Sequence, residues 1–343
     1  MRPFPLFCSL LASIPTVATA QTTVDFQVDD ARAQMFGVDP TAAEQELSQT
    51  LTDALQLADP ERFMVSMAEA AAIAGKGLGV DYASNPSKFV FGVSLGTGAN
   101  ANGLVLDRDP QSLPEGGFSA QTSAMVGVNL GLLAGTASDD DMALWDRFTV
   151  SVHGMSFKSP AANRGFRGFM TNYGGHVTIK VIGKGESGIW DWGGLDVTTG
   201  YEHATYRLDF TGNTPFTGGD DLTWDATGRY VLTSNADSIP FELSSNIRVS
   251  VITLFAGAGL DLNMAETSGD GSITGPINVE TNSGPEAIGT GTITNVTRGE
   301  AEPLAIRGFG GVQVNIFPLK VYAGIQGSSR ASASLQAGIR IAQ

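Results

Sequence analysis

Imidazole is the side chain best suited to moving protons near neutral pH, and the 343-residue chain has three: His153, His176 and His203. An esterase carried on a β-strand needs a histidine and a serine on one face, two residues apart. His153 and Ser156 are three apart and so point to opposite faces. Ser151, on the same face as His153, makes only a weak pair with it, and a polar residue facing a lumen is the simpler reading of His153. No His-x-x-x-His spacing and no pair of cysteines offers a zinc site. Asp139-Asp140-Asp141 and Ser268-Gly269-Asp270-Gly271 read as solvated acidic turns, because the spacing of a calcium loop is absent. Gly75-Lys76-Gly77-Leu78-Gly79 lacks the preceding strand and the Gly-Lys-Ser/Thr ending of a phosphate loop, and reads as a hinge. These residues predict no enzyme, no metal and no cofactor.

What remains is a set of charges at alternate positions of apolar segments. The candidates for lining a lumen are His153, Lys180, Arg207, Arg229, Glu242, Arg248, Asp261, Arg307 and Arg340, with Asp196, Glu202 and Asp225 as further balancing acids. In a narrow barrel such charges pair across the lumen and seal it. In a wider one they line a channel and set its ion preference.

The elements that hold these charges have a period of two. From Lys88 onward apolar residues alternate with small or polar ones: Phe89, Phe91, Val93, Leu95; Phe148, Val150, Val152; Phe241, Leu243, Ile247, Val249; Leu319, Val321, Ala323, Ile325. The same rule reads Tyr206, Leu208 and Phe210 as opposed to Arg207 and Asp209, and Trp224, Tyr230 and Leu232 as opposed to Asp225, Thr227 and Arg229. A soluble sandwich carries many Lys and Glu residues on its outer face. Here the apolar face is nearly free of charge and the other face is small and glycine-rich, as strands between lipid and a polar lumen require. Trp190, Trp192, Tyr201, Tyr206, Trp224 and Tyr230 fall toward candidate strand ends, where aromatic girdles form. The expected fold is all-β, an antiparallel transmembrane barrel of about twelve strands (ten to fourteen), preceded by a short helical N-terminal segment.

Before Lys88 the pattern differs. Residues 1–20 read as a signal peptide: Arg2 is the basic start, Leu6 to Ile14 the apolar run, and Ala18-Thr19-Ala20 the cleavage pattern before Gln21. Residues 21–80 form a helical segment, periplasmic or plugging. One helix covers Thr41 to Leu57, and a second runs from Asp59-Pro60 to about Ala74. Residues 81–343 form the barrel. Ile252-Thr253, Ile316 to Pro318 and Gly327 to Arg330 read as short joints. Ala99 to Gly116, Lys158 to Tyr173 and Glu266 to Glu302 read as long loops, which such barrels place outside the cell.

The single cysteine, Cys8, falls in the leader, so the mature chain has no thiol. A net charge of −15 disfavours nucleic acid. Glycine, at 43 residues, is about one in eight, against a usual value near 7%. Trp192-Gly193-Gly194-Leu195 with Thr199-Gly200-Tyr201, and Leu254-Phe255-Ala256-Gly257-Ala258-Gly259-Leu260-Asp261, resemble segments of uncharacterised bacterial outer-membrane barrel families. More loosely, the organisation is similar to the long-chain fatty-acid transporter family, whose N-terminal segment plugs a barrel. The resemblance runs from Asp81 to the C-terminus. The chain departs from it by ending Ile339-Arg340-Ile341-Ala342-Gln343, without a terminal aromatic residue. It implies residence in the outer membrane, with membrane lipid and the barrel-assembly machinery as partners. The expected function is a pore or transporter for small or hydrophobic solutes. The alternatives are a structural or adhesion barrel whose outer loops bind partners and, more weakly, an outer-membrane hydrolase. Purified protein in detergent is expected to show β-rich circular dichroism and a heat-modifiable gel mobility; a mobility unchanged by boiling would refute the barrel.

Overall fold

The computed structural model describes residues 19–56, 60–84, 86–100, 116–136, 143–159, 165–186, 189–218 and 222–343. Residues 1–18 of the expected leader, Asp59, the acidic run 139–141 and most of the 99–116 segment lie outside those residues. A first strand, β1 (Thr19–Val28), leads into α1 (Asp30–Met35), α2 (Pro40–Gln56) and α3 (Pro60–Ala74). α2 and α3 match the two helices expected from sequence. Each begins on a proline, whose missing N–H is no loss in a first turn. Asp39 also caps α2, accepting from the Thr41 N–H at 2.9 Å.

The remaining strands are β2 (Phe89–Asn100), β3 (Gly117–Asn129), β4 (Phe148–Lys158), β5 (Phe166–Ile182), the two-residue β6 (Gly185–Glu186), β7 (Asp191–Gly218), β8 (Leu222–Val249), β9 (Ile252–Thr281), β10 (Gly284–Glu300), β11 (Leu304–Ile316), β12 (Leu319–Ser328) and β13 (Ser332–Ala342), with a short helix α4 (Leu130–Ala134) after β3. All pairings are antiparallel, in one thirteen-stranded sheet. Among the described residues, β2, β3, β4, β5, β7, β8, β9, β11, β12 and β13 each have a partner on both sides. The last strand meets the first, from Ser332↔Asn100 to Ala342↔Val90. The sheet is therefore a closed ring of ten strands, at the lower bound of the expected range. Among the described residues no helix is long and apolar enough to cross a membrane.

A spanning strand needs ~9–11 residues, yet β7 and β8 have 28 and β9 has 30. Their surplus projects beyond the ring at one end, where β10 and β1 extend the sheet. The Glu266 to Glu302 segment is thus a paired hairpin rather than the expected loop, and Lys158 to Tyr173 is largely strand. The opposite end carries the joints at 250–251 and 317–318, and there the Lys88 N–H donates to the Gln343 carbonyl at 2.7 Å. The joint between β12 and β13 lies at the projecting end, away from the other two short joints.

Polarity inverts partway along each long strand. In β8, even-numbered residues face inward throughout. Within the ring these are Ser238, Glu242, Ser244 and Asn246, while Phe241, Leu243, Ile247 and Val249 face outward and are exposed. In the projection the inward residues become Leu222, Trp224, Ala226 and Leu232, all buried, with Asp225, Thr227 and Arg229 outside. The expected lipid-facing role of Trp224, Tyr230, Leu232, Tyr206 and Leu208 is therefore corrected. Beyond the membrane belt water lies outside, so the apolar side turns in. It forms a core of Phe26, Leu47, Trp224, Ile277, Val279 and Ile288 between the sheet and α2.

From α2 the chain turns back through the ring. α3 packs inside β2, β3, β8, β9, β10 and β13, and residues 75–84 continue down the lumen to β2. The fit depends on small residues. A methyl added at Gly98 would collide with the Ala70 carbonyl, at Gly96 with the Ala74 carbonyl, and at Gly117 with the Ser66 carbonyl. Gly98→Leu is expected to lower stability by about 1–3 kcal/mol through overpacking, or to expel α3 and open residues 60–88 to protease. Gly308→Ala, where a methyl meets nothing within 4 Å, is expected to do neither. Limited proteolysis with urea unfolding of the two variants checks this.

Candidate functional site

The lumen is closed by charges that the wall and the threaded segment share. Arg307 on β11 sits behind Asp261 on β9, with Nε to Oδ2 at 2.9 Å and Nη2 to Oδ1 at 3.2 Å. It also donates to Glu242 on β8, and through Nη1 to Gln326 at 2.6 Å. The threaded segment completes the cluster. The Lys76 ammonium lies 3.7 Å from Glu202 and 3.8 Å from Asp261. Its carbonyl accepts from Gln326 Nε2 at 2.8 Å and from Gln336. The Gly77 N–H donates to Glu202 at 3.1 Å, and the Tyr82 hydroxyl to Glu242 at 2.8 Å. Lower down, Arg340 holds Asp81 at 3.0 Å and the Val80 carbonyl at 2.6 Å, its guanidinium lying 3.7 Å above the Tyr322 ring centre. All of these side chains are buried or nearly so. Charges taken out of water need such partners, because a lone one is costly.

Of the nine residues expected to line a lumen, His153, Glu242, Asp261, Arg307 and Arg340 lie buried inside it. The His153 ring stacks on His176 at 5.3 Å, and His176 Nε2 lies 3.1 Å from Glu202. Ser151 donates to the Gly79 carbonyl at 2.8 Å, so it has no bond to His153. Lys180 points inward near the short-joint end, where it pairs with Asp196 at 2.9 Å. Three residues are corrected. Arg207 and Arg229 belong to the projection and face outward, Arg229 chelating Asp209 at 3.0 and 2.6 Å. Arg248 lies at the open short-joint end, where it is exposed and paired with Asp191. Sequence reasoning missed Lys76, Asp81 and Tyr82. A lysine and an aspartate flanking a glycine-rich hinge were the only signal, and nothing local shows that the hinge runs through a ring.

A second cluster lies on the outer face, where the apolar belt gives way to polar side chains. His203 Nδ1 is 2.8 Å from Asp237, which also accepts from Tyr201, and His203 Nε2 is 3.1 Å from the Thr205 hydroxyl. His203 and Thr205 have the same two-residue spacing as His153 and Ser151. The Thr205 hydroxyl in turn donates to Asn235 at 2.9 Å. The cluster is a hydrogen-bonded girdle at the edge of the belt.

Above the charged lumen lies a cavity of about 720 Å³, bounded by Phe63 and Met67 of α3, Phe118 of β3, Tyr206, Leu208 and Phe210 of β7, Tyr230 and Leu232 of β8, and Ile273 and Ile293 of the outer hairpin. Its walls are neutral. Burial and the nearby Asp270 push the Tyr230 phenol up to about 12, and Arg229 at its edge is held by Asp209. The cavity therefore meets α3 on one side and the projecting sheet on the other.

A protein-family model described as Lsa36-like matches residues 18–343, nearly the whole chain. A search of curated proteins found no match. Among solved structures, the chain is similar to the outer membrane protease OmpT from Escherichia coli, with 10% identity and a TM-score of 0.38, over 75% of this chain and 97% of that one. It is similar to the translocator domain of the autotransporter NalP from Neisseria meningitidis, with 9% identity and a TM-score of 0.27, over 74% and 88%. It is also similar to a FadL homologue of Pseudomonas aeruginosa, with 11% identity and a TM-score of 0.22, over 81% and 98%. Likenesses this distant carry nothing about activity.

Lys76→Met leaves Glu202 and Asp261 without the cation between them. It is expected to cost about 3–5 kcal/mol, as for a broken buried pair, or to let the threaded segment leave and the lumen conduct. Urea unfolding and planar-bilayer recording read the two results; a variant as stable and as silent as the parent would show that the network does not hold the lumen shut.

Proposed function

The chain belongs to the Lsa36-like family, and we propose that it is an outer-membrane barrel, shut at rest by its own N-terminal chain, that takes small neutral hydrophobic solutes at the cavity above α3. In this reading residues 1–20 direct export and are removed after Ala20, the barrel-assembly machinery inserts the chain, and the apolar belt meets lipid. The cavity is the observation that carries it. Sites of ~300–1,000 Å³ with apolar walls and few polar groups are where small ligands bind. A solute there touches both α3 and the wall, so its binding energy can bias the position of the plug, which is what passage through a filled lumen requires.

A second reading is a barrel whose outer part binds partners. The projection favours it, because its own core around Trp224 makes it a folded platform rather than a set of loops. Removing Glu266 to Glu302 would strip β10, the partner of β1, and the outer half of β9, so it is not a neutral deletion; solute uptake separates the two readings instead.

For the first reading, the fluorescent probe 1-N-phenylnaphthylamine is expected to bind the detergent-solubilised protein saturably, beyond its partition into protein-free micelles. Phe63→Glu, and Phe210→Glu at the more exposed rim, each set a carboxylate against the solute. They are expected to weaken binding by about tenfold or more. Probe uptake no greater than by empty micelles, or binding by both folded variants as tight as by the parent, would refute the solute site.

A further inference from the structure

We propose that β1, α1 and α2 stand on the outer surface of the cell, carried there by threading the N-terminal chain outward through the lumen of its own barrel. Three features of the structure lead to this. The two ends of the chain lie at opposite ends of the ring. Gln343 sits beside Lys88 at the end with the two-residue joints, whereas β1 is paired to β10 along the projection, from Thr19↔Arg298 to Val28↔Gly289. The chain between them runs down the lumen. Moving down β2, α3 and the hinge meet Gly98, then Gly96, then Ser94, whose hydroxyl donates to the Leu78 carbonyl at 3.3 Å. β13 closes on β2 alongside, while one seam further on the β3–β4 ladder is shorter, from Ala124↔Gly154 to Asn129↔Thr149.

The third feature is which end faces out. Outer-membrane barrels keep short turns on the periplasmic side and long extensions outside. The ring has its two-residue joints and its C-terminus at one end, and strands of 28 to 30 residues overshooting at the other. The overshoot also carries outward-facing ionised groups such as Arg229 and Asp209, which form an exposed pair and belong in water. This orientation rests on the outer-membrane reading above. An N-terminus that begins in the periplasm must then pass through the ring before α3 seats. The alanine-rich face of α3 against wall glycines is the narrow fit such a passage leaves behind. The N-terminal segment expected from sequence to be periplasmic or plugging is thereby divided: α3 and the hinge plug, and the rest is displayed.

The only cysteine of the chain is Cys8, within the leader, so single cysteines report cleanly on the mature protein. Gln34→Cys in α1, Thr227→Cys in the projection and Gln343→Cys at the terminus are all at exposed positions. Intact cells are treated with a membrane-impermeant biotin maleimide, and each variant is checked for the heat-modifiable mobility of a folded barrel. The expected result is full labelling of Gln34→Cys and Thr227→Cys on intact cells, with Gln343→Cys labelled only after the outer membrane is permeabilised. Labelling of Thr227→Cys but not of Gln34→Cys on intact cells would overturn the threading and leave the outer-membrane reading standing. Labelling of Gln343→Cys alone would overturn the orientation, and with it the display. Labelling of none before permeabilisation would overturn both the surface placement and the threading.

Discussion

A narrow ring whose lumen is packed with chain holds its inward-pointing charges away from bulk solvent, so they depend on partners in the protein. The wall supplies the carboxylates of Glu202, Glu242 and Asp261 and the guanidinium groups of Arg307 and Arg340. These do not satisfy one another completely. Asp81 answers Arg340, and Lys76 stands between Glu202 and Asp261. Wall and threaded segment are therefore complementary parts of one electrostatic unit. Emptying the lumen would either strand those charges or flood them with water. The network thus ties the ring's interior to the segment that precedes it in the chain.

Packing above the network obeys a different demand. A helix fits inside a ten-stranded ring only where both surfaces are small, and Ala70, Ala74 and Ser66 of α3 meet Gly98 and Gly96 of β2 and Gly117 of β3 at backbone distance. The glycine content has its use here: glycine lets a strand backbone approach another chain that a side chain would hold away. Where the helix begins, larger residues appear on both sides, and the apolar cavity opens between them. The cavity and the close-packed stretch below it are two results of one change in side-chain size along α3.

The long strands connect these regions. Each crosses from lipid to water, and the sense of its alternation reverses at the crossing. In the belt the apolar side faces out because hydrocarbon is outside. In the projection it faces in because water is outside and α2 and α3 supply a core within. The tyrosines and His203 at the level of Tyr201 and Asp237 mark the boundary, with polar tips and apolar bodies suited to an interface.

The order of residues was enough to specify the period of two after Lys88, the two proline-started helices, the short joint at Phe317-Pro318 and the inward placement of Glu242, Asp261, Arg307 and Arg340. Those features depend on neighbours within a few positions, or on a face that meets one medium over ten residues. Tertiary structure alone decided which medium each face meets. Val249 and Trp224 lie on one strand and are both apolar, yet one faces out and the other in, and nothing within β8 records where the membrane ends. The same limit hid Lys76, Asp81 and Tyr82, whose partners lie more than a hundred residues away on the wall. A pattern in sequence determines that a side chain is turned from its neighbours; what it is turned toward depends on contacts that exist only once the ring holds its own N-terminal chain.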